Sequence, residues 1–300
     1  MSEHTGLHRR FHAHGIHVGL GQGQLARVMV PGEHSAEVYL HGAQLTHWQP
    51  AGERPVLWLS PHSAFAEGKA IRGGIPICFP WFGAHPQNPT LPMHGFARLH
   101  PWELTEVVRQ GEDQVSLHLH LTASAESRVS WPFGFDAHYQ ITVGPTLELC
   151  LEITNSGGQA FEYAEALHSY FAIGDINTCR IHGLADTDFL DKTRSMARSH
   201  DGRPLITISG EIDRQYLSDR SRCEIEDPTW KRRVVIEKEH SGVSVVWNPG
   251  PERAKSMPDL EPTAYRDFIC VESANAGACS VRLEPGASHR LRTRISVQPL

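Results

Sequence analysis

The stretch VSLHLHL (residues 115–121) decides the fold, because apolar and polar side chains alternate along it without interruption. Successive side chains of a β-strand point to opposite faces of the sheet, so this pattern predicts a strand with one face buried and the other in water. The apolar face would consist of Val115, Leu117, Leu119 and Leu121. The polar face would consist of Ser116, His118 and His120.

The same period of two recurs in LELCLEIT (residues 147–154) and, near the C-terminus, in RLRTRISV (residues 290–297). Turn-forming pairs separate such segments, among them GP at residues 144–145 and SG at residues 241–242. Helical patterns are scarce, and the clearest is a single turn over residues 251–257. Many short strands with little helix predict an all-β fold, namely a large β-sandwich.

Length and charge restrict the class of protein. The chain has 300 residues and a formal net charge of −6. It is long enough to bury a substantial core as one large sandwich, and no repeat or linker marks a second domain. A nucleic-acid-binding protein would show a basic stripe, whereas the basic runs RSRC (residues 220–223) and KRR (residues 231–233) are short and flanked by acidic residues. An anionic substrate would therefore have to be bound by a few local arginines.

The cysteines and the apolar segments bear on the cellular compartment. No two of the six cysteines have the C-x-x-C spacing, so we expect reduced core residues without disulfides. The N-terminus lacks the apolar segment of a secretory signal, and no run of about eighteen apolar residues occurs. We therefore expect a cytoplasmic protein that does not contact a membrane. The cysteines are Cys78, Cys150, Cys179, Cys223, Cys270 and Cys279.

The first two dozen residues are rich in histidine. A metal site is one explanation, but the histidines have no fixed ligand spacing, so a flexible polar extension with incidental metal affinity is the better one. We expect residues 1–24 to form this extension and residues 25–300 to form a single domain. GLGQG (residues 19–23) precedes a strand and does not join a strand to a helix, so we do not assign it as a phosphate loop. The histidines are His4, His8, His12, His14 and His17.

The stretch RGGIPICFPWFG (residues 72–83), followed by HGFAR (residues 94–98), suits neither a regular strand nor a helix. Its glycines permit unusual backbone angles and its prolines restrict them, so we expect a rigid, irregular loop. Arg72 and Arg98 would project from a hydrophobic bed. The guanidinium group is planar, always charged and able to bind in a bidentate manner, which suits an anion such as phosphate.

Two later stretches, EALHSYFAIGD (residues 165–175) and FICVESAN (residues 268–275), complete a set of four motifs. In this order the motifs resemble those of the D-hexose-6-phosphate mutarotases, or glucose-6-phosphate 1-epimerases, of the aldose 1-epimerase superfamily. The resemblance extends from about residue 25 to the C-terminus. It implies the galactose-mutarotase-like supersandwich fold and an isomerase that interconverts the α and β anomers of hexose 6-phosphates, with glucose 6-phosphate as the main substrate. It implies no metal and no organic cofactor.

Mutarotation needs a base for the anomeric hydroxyl and an acid for the ring oxygen, acting together. From the residues alone, Glu272 is either a pocket residue or an outward-facing strand residue, and His168 is more often a core histidine. The resemblance implies that Glu272 is the base and His168 the acid. Because a histidine with a pKa near the working pH both donates and accepts protons, it suits a reaction that runs in both directions.

The resemblance also implies substrate-binding roles for charged residues in three motifs. Arg72 and Arg98 would hold the phosphate, with surface ion pairs as the alternative for each. His94 would face the sugar near its ring oxygen, with a loop-capping histidine as the alternative. Asp213, in GEIDRQY (residues 210–216), would bind sugar hydroxyls, with a turn aspartate as the alternative.

Aromatic residues of the same loops would shape the pocket. Trp81 and Phe82 would stack on the apolar face of the sugar, and loop core is an equal alternative for both. Trp247, in WNP, would border the pocket next to the base. The roles of Asp259 and Tyr265 stay open.

Three alternative functions remain. A mutarotase of unphosphorylated aldoses is disfavoured by the two arginines, and a non-catalytic sugar-phosphate-binding protein has no need of an acid–base pair. A glycosidase needs a second carboxylate beside Glu272, for which Glu162 or Glu165 would be the candidates. Nothing in the sequence requires more than a monomer, and we expect no nucleic-acid partner.

Overall fold

The computed structural model describes residues 6, 10–11, 15–218 and 220–300. Within these residues, 23 strands and two short α-helices occur. His4, His8, His12 and His14 of the histidine-rich segment lie outside the described residues.

The strands of the first half are β1 (His17–Leu20), β2 (Ala26–Val30), β3 (Ser35–Tyr39), β4 (Gln44–Gln49), β5 (Ile77–Cys78), β6 (Glu103–Gln110), β7 (Gln114–Thr122), β8 (Phe135–Val143) and β9 (Leu147–Asn155). The middle strands are β10 (Phe161–Tyr163), β11 (Glu165–Leu167), β12 (Tyr170–Ala172), β13 (Arg180–His182), β14 (Thr187–Asp191), β15 (Ala197–Asp201) and β16 (Ile206–Thr207). The last strands are β17 (Ile212–Leu217), β18 (Arg222–Asp227), β19 (Arg232–Glu239), β20 (Val243–Asn248), β21 (Phe268–Asn275), β22 (Val281–Leu283) and β23 (Ser288–Pro299). The helices are α1 (Ala125–Ser130) and α2 (Gly250–Ala254).

Two large antiparallel sheets form the sandwich. The nine-stranded sheet has the order β16-β13-β18-β19-β23-β9-β8-β7-β6, and the eight-stranded sheet has the order β15-β14-β17-β20-β21-β11-β5, with β12 also paired to β21. A four-stranded sheet, β1-β2-β3-β4, and the pair β10-β22 complete the strand pairing. Side chains from both large sheets share one hydrophobic core, so the sandwich folds as a single packed unit.

The alternating stretches form three strands of the nine-stranded sheet. Leu117 of β7, Leu151 of β9 and Leu291 of β23 are fully buried, and their polar neighbours lie on the opposite face. The prediction of an all-β sandwich is therefore confirmed. The helical turn expected over residues 251–257 is present as the single turn α2.

The first strand begins inside the segment that was expected to be a flexible extension. β1 pairs with β2, and Val18 is buried. Phe11 also belongs to the hydrophobic core, and Arg10 donates a hydrogen bond to the backbone carbonyl of Thr105 at 3.0 Å. Residues 17–20 are thus fixed to the four-stranded sheet by an apolar side chain and ladder hydrogen bonds, although they lie before the boundary expected after residue 24.

All six cysteines are free thiols, and four of them are buried. Across the part of the chain that the structure describes, none of the helices has the length and apolar character that a membrane crossing requires.

Candidate active site

The eight-stranded sheet is interrupted beside its central strand. β11 and β12 both pair with β21, with Leu167 opposite Ser273 and Tyr170 opposite Cys270. Residues 168–169 lie between the two ladders and therefore face residues 271–272. The backbone N–H of His168 donates to the carbonyl of Pro76 at 3.0 Å. The glycine- and proline-rich loop thus holds the backbone at residue 168, and the register of β11 and β12 on β21 places this residue opposite residue 272.

His168 and Glu272 meet at this interruption. Nε2 of His168 lies 3.4 Å from Oε1 of Glu272, and the two side chains are 8% and 1% exposed. The remaining polar atoms, His168 Nδ1 and Glu272 Oε2, are buried and have no hydrogen-bond partner in the protein. Buried polar atoms are nearly always hydrogen-bonded, so these two atoms are available to a ligand that carries hydroxyl groups.

Burial perturbs both groups in a direction that suits proton transfer. It raises the pKa of the Glu272 carboxyl well above its ordinary value, and the charge of Asp213 adds to this effect. It lowers the pKa of His168 well below its ordinary value, and the charges of Arg98 and Arg72 add to that effect. This direction differs from the expectation of a pKa near the working pH, because the buried site disfavours the charged imidazolium. A carboxylate with a raised pKa is a stronger base, and an imidazolium with a lowered pKa is a stronger acid.

A cavity of about 180 Å³ opens in front of this pair. Asp213 pairs with Trp247 across β17 and β20, and Val245 pairs with Glu272 across β20 and β21. Because side chains two residues apart on a strand share a face, these four residues form one wall of the cavity. Its lining comprises Arg72, Phe82, Met93, His94, Arg98, His168, Lys192, Asp213, Val245, Trp247, Arg253, Met257 and Glu272.

Arg72 is fixed in the cavity by two partners. Its Nε donates to Oδ2 of Asp259 at 2.9 Å, and one terminal nitrogen donates to the hydroxyl of Tyr170 at 2.9 Å. This contact gives Asp259, whose role the sequence left open, a structural function. The carboxylate also offsets the charge of Arg72.

Arg98 has a different environment. It lies in the short 3-10 turn Ala97–Leu99, and one terminal nitrogen donates to the carbonyl of Met93 at 2.7 Å. Its Nε is buried without a partner, and none of the ion pairs found among the described residues involves it. Arg98 therefore brings to the cavity a positive charge that forms no ion pair with a carboxylate in the described part of the chain.

His94 lies beside the acid–base pair. Its ring centre is 5.6 Å from that of His168 and 4.8 Å from that of Phe82, and its Nδ1 accepts a hydrogen bond from the backbone N–H of Gly83 at 3.2 Å. Burial holds its pKa well below the ordinary value. Its Nδ1 is thus occupied by the loop, and a neutral ring then carries its proton on Nε2.

Trp81 does not line the cavity. It is 6% exposed, belongs to the main hydrophobic core, and its indole nitrogen donates to the carbonyl of Pro92 at 2.9 Å. Phe82, the next residue, does line the cavity. The expectation that Trp81 stacks on a sugar is therefore corrected: adjacent residues of the loop point to different sides, and Trp81 points into the core.

Two cations of the cavity were missed at the level of sequence. Lys192 approaches Asp213, with Nζ 3.2 Å from Oδ2, and Arg253 of α2 lies 3.2 Å from Oε1 of Glu211. Neither residue belongs to one of the recognised motifs, and each reaches the cavity only through strand pairing or helix placement. No short-range signal in the sequence identifies them.

The WNP segment borders the pocket as expected. Trp247 lines it, and the Asn248 amide donates to the carbonyls of Tyr265 and Phe268, both at 2.8 Å. Asn248 thereby ties the end of β20 to the start of β21. Tyr265 contributes a backbone carbonyl to this contact, and its side chain is not part of the cavity lining.

The carboxylates considered for a glycosidase lie elsewhere. Glu162 is exposed on β10. Glu165 is fully buried, but it contacts Asn275 at 3.0 Å and His289 at 3.1 Å, away from the cavity lining. Within the described residues, no group of three or more His, Cys, Asp or Glu side chains is arranged to hold a metal ion.

Comparison with known proteins agrees with this geometry. Residues 28–296 match the aldose 1-epimerase family. The chain is 41% identical over 241 residues to an Escherichia coli K12 protein provisionally named glucose-6-phosphate 1-epimerase, covering 80% of each chain. A Cenchrus ciliaris protein with the same provisional name is 35% identical over 272 residues, which cover 88% of this chain and 82% of that protein.

Solved structures share the fold. A crystal structure of a provisionally assigned mutarotase of Salmonella typhimurium superposes with a TM-score of 0.89 at 34% identity and covers 95% of this chain and 94% of that one. A galactose mutarotase related enzyme of Lactobacillus acidophilus superposes with a TM-score of 0.71 at 14% identity, covering 91% of this chain and 97% of that one. The second likeness extends to the fold alone, and it confirms the mutarotase-like supersandwich expected from the sequence.

Proposed function

Because the chain belongs to the aldose 1-epimerase family, we propose that it is an isomerase that interconverts the α and β anomers of hexose 6-phosphates, with glucose 6-phosphate as the main substrate. The observation that carries this proposal is the buried contact of 3.4 Å between His168 and Glu272 at the base of a cavity rimmed by cations. The relatives named for glucose 6-phosphate support the choice of substrate.

The pair performs both proton transfers of the ring opening. Glu272 removes the proton of the C1 hydroxyl while His168, as the imidazolium, protonates the ring oxygen. The electrons of the O–H bond form the C1 carbonyl, and those of the C1–O5 bond remain on O5, which takes the histidine proton. The open-chain sugar then faces a protonated Glu272 and a neutral His168.

Ring closure reverses these roles. Rotation about the C1–C2 bond presents the other face of the aldehyde to O5, His168 takes back the O5 proton, and Glu272 returns its proton to O1. The opposite anomer leaves, and the pair regains its starting protonation. Since burial raises the pKa of Glu272 and lowers the pKa of His168, it favours the neutral pair, which is the state present with the open-chain sugar. No other group has to supply or remove a proton.

The remaining lining residues bind and orient the sugar phosphate. We assign the phosphate to Arg72 and Arg98, since the guanidinium fork matches phosphate oxygens. His94 supports charge near the ring oxygen, and Asp213 accepts hydrogen bonds from sugar hydroxyls. Phe82 offers an apolar face to the sugar. Four basic and two acidic side chains line the cavity, an excess of positive charge that favours a phosphorylated sugar over a free one.

The experiment is anomer exchange measured by NMR magnetisation transfer on glucose 6-phosphate, with glucose and galactose as parallel substrates. The proposal expects acceleration that is strong for glucose 6-phosphate and weak for the two free sugars. Acceleration of free sugars alone would retain the acid–base pair and reject the phosphate assignment. Binding of glucose 6-phosphate without any acceleration would reject catalysis and leave a sugar-phosphate-binding protein.

A further inference from the structure

We propose that Lys192 is a specificity-determining residue of this cavity: it holds Asp213 while the cavity is empty and transfers to the phosphate group when a hexose 6-phosphate binds, which releases Asp213 to accept a hydrogen bond from a sugar hydroxyl. This inference rests on the proposed function, because it assumes a phosphorylated sugar in the cavity. It assigns to the phosphate a role in arranging the sugar-binding groups, beyond its role in affinity.

The two partners differ in freedom of movement. Asp213 lies within β17, is paired on one side with β20, and its side chain is 9% exposed. Lys192 lies in the short 3-10 turn Lys192–Arg194, and its side chain is 36% exposed. A lysine amine sits on a flexible four-carbon stem, whereas a strand carboxylate has little reach. Of the two, Lys192 is therefore the one that moves.

The turn itself is well fixed, so movement is confined to the side chain. Asp191 accepts a hydrogen bond from the backbone N–H of Thr193 at 3.0 Å and caps the turn. Ser195 and Met196, which follow, both adopt left-handed backbone angles, with φ of 54° and 62°. The backbone of Lys192 thus stays beside β17 while its amine changes partner.

Charge balance supplies the reason for the transfer. A sugar phosphate carries about two negative charges at neutral pH. Arg72 is already paired with Asp259, so Arg98 is the phosphate-clamp residue that forms no ion pair among the described residues. If ion pairs alone are counted, the clamp offers one unpaired positive charge to a phosphate with about two negative charges, so the phosphate also attracts the mobile amine of Lys192. Arg253 is the other cation of the lining, and it is paired with Glu211.

The release of Asp213 links the phosphate to sugar positioning. With Lys192 on Asp213, a sugar hydroxyl has to compete with an ion pair for Oδ2, the oxygen that faces the lysine. With Lys192 on the phosphate, Asp213 is a buried carboxylate that needs a hydrogen-bond donor, and a sugar hydroxyl satisfies it. A free hexose does not trigger the exchange. The preference for a phosphorylated sugar should therefore appear in kcat as well as in KM.

The first test compares Lys192→Met, which keeps the length of the side chain but not its charge, with the unchanged protein. We expect kcat/KM for glucose 6-phosphate to fall about tenfold to a hundredfold, the range for loss of a charged hydrogen bond, while exchange of free glucose does not fall. Lys192→Arg should restore most of the loss. Lys255→Met, which removes a lysine paired with the exposed Glu252, is the matched control and should leave the kinetics with both substrates unchanged.

The second test needs no catalysis and uses inorganic phosphate as the probe. Calorimetric titration measures its affinity in the unchanged protein, Lys192→Met, Asp213→Asn and the double variant. Asp213→Asn should tighten phosphate binding several-fold more in the protein that has Lys192 than in Lys192→Met. The reason is that removing the Asp213 charge frees a cation for the phosphate only where Lys192 is present. Equal effects in the two backgrounds would overturn the proposal.

The outcomes separate this inference from the proposed function. Suppose that the unchanged protein accelerates the anomer exchange of glucose 6-phosphate. If Lys192→Met then slows the anomer exchange of phosphorylated and free sugars equally, or slows neither, the proposed change of partner by Lys192 is wrong and the proposed function stands. If the unchanged protein fails to accelerate glucose 6-phosphate, the proposed function fails first. The calorimetric titrations with inorganic phosphate then test the change of partner by Lys192 independently of catalysis.

Discussion

Nε2 of His168 lies 3.4 Å from Oε1 of Glu272, at the interruption between β11 and β12, which both pair with β21. The register is the same on both sides of this interruption, because Leu167 lies opposite Ser273 and Tyr170 lies opposite Cys270. Residue 168 is therefore in register with residue 272, and directly opposed residues of an antiparallel pair place their side chains on the same face. The loop that carries Pro76 accepts the backbone N–H of His168. The contact between His168 and Glu272 is therefore a product of strand register.

Replacing Glu272 with Gln should remove most of the catalysed exchange of glucose 6-phosphate, by about 10²–10⁴-fold, because the amide cannot accept the C1 hydroxyl proton. Binding should change little, since the amide keeps the size of the side chain. Magnetisation-transfer NMR gives the rate, and calorimetry gives the affinity. Glu284→Gln, which alters an exposed carboxylate beside Arg282, is the control. A Glu272→Gln protein as active as the unchanged one would remove Glu272 from the mechanism.

Replacing Arg98 with Met should raise KM for glucose 6-phosphate about tenfold to a hundredfold, because a charged hydrogen bond to the phosphate is lost. The melting temperature should stay nearly constant, since within the described residues the terminal nitrogens of Arg98 donate to the Met93 carbonyl alone. Arg72→Met should raise KM and also lower the melting temperature, because Asp259 and the Tyr170 hydroxyl both lose a partner.

Steady-state kinetics and thermal unfolding of the two variants give the comparison. An unchanged KM for Arg98→Met would assign the phosphate to other cations. Equal thermal losses in the two variants would contradict the difference in their environments.

The fold and the shared cavity of His168 and Glu272 were open to prediction from the sequence because their signals are local. Alternation along β7 reports a half-buried strand directly, and His168 and Glu272 each lie inside a recognisable motif. Lys192 carries no such signal, because it reaches the cavity only through the pairing of β14 with β17. Trp81 and Phe82 are neighbours in one loop, and composition does not tell which of them faces the core. β1 is four residues long, too short for its alternation to stand out.

The backbone of the HGFAR loop gives a stability prediction. Gly95 has a φ of 75°, and a Cβ at this position would lie 1.9 Å from the backbone oxygen of Phe79. Gly111 has a similar φ of 69° but open space around it. Gly111→Ala should therefore cost about 1–2 kcal/mol for the left-handed backbone alone. Gly95→Ala should cost about 1–3 kcal/mol more for the overlap.

Chemical denaturation of both variants measures this difference, and exchange kinetics adds a second readout. Gly95→Ala should also slow the exchange of glucose 6-phosphate, because the displaced backbone carries His94 and Arg98. Equal free energies of unfolding for the two variants would show that the close approach to Phe79 is relieved without strain.

The buried Glu165 gives a prediction about pH and stability. His289 Nε2 lies 3.1 Å from its Oε1, and the hydrogen bond that His289 donates to this carboxylate raises the pKa of His289 above its ordinary value, against the opposing effect of burial. A histidine with a raised pKa in the folded state binds its proton more tightly there than in the unfolded chain. Its contribution to stability is therefore complete below the unfolded pKa of about 6.5.

That contribution is lost as the pH rises through the folded pKa of His289, so the part of the free energy of unfolding that His289 supplies should decline from mildly acidic to mildly alkaline pH. His289→Gln keeps a hydrogen-bond donor to Glu165 but does not titrate, so its curve should lack this part of the decline. The difference between the two curves isolates His289 from the other histidines, whose titration is common to both proteins. Urea denaturation at a series of pH values measures both curves. Parallel curves would mean that the proton of His289 is not linked to folding, and the Glu165 carboxylate would then be stabilised by Asn275 instead.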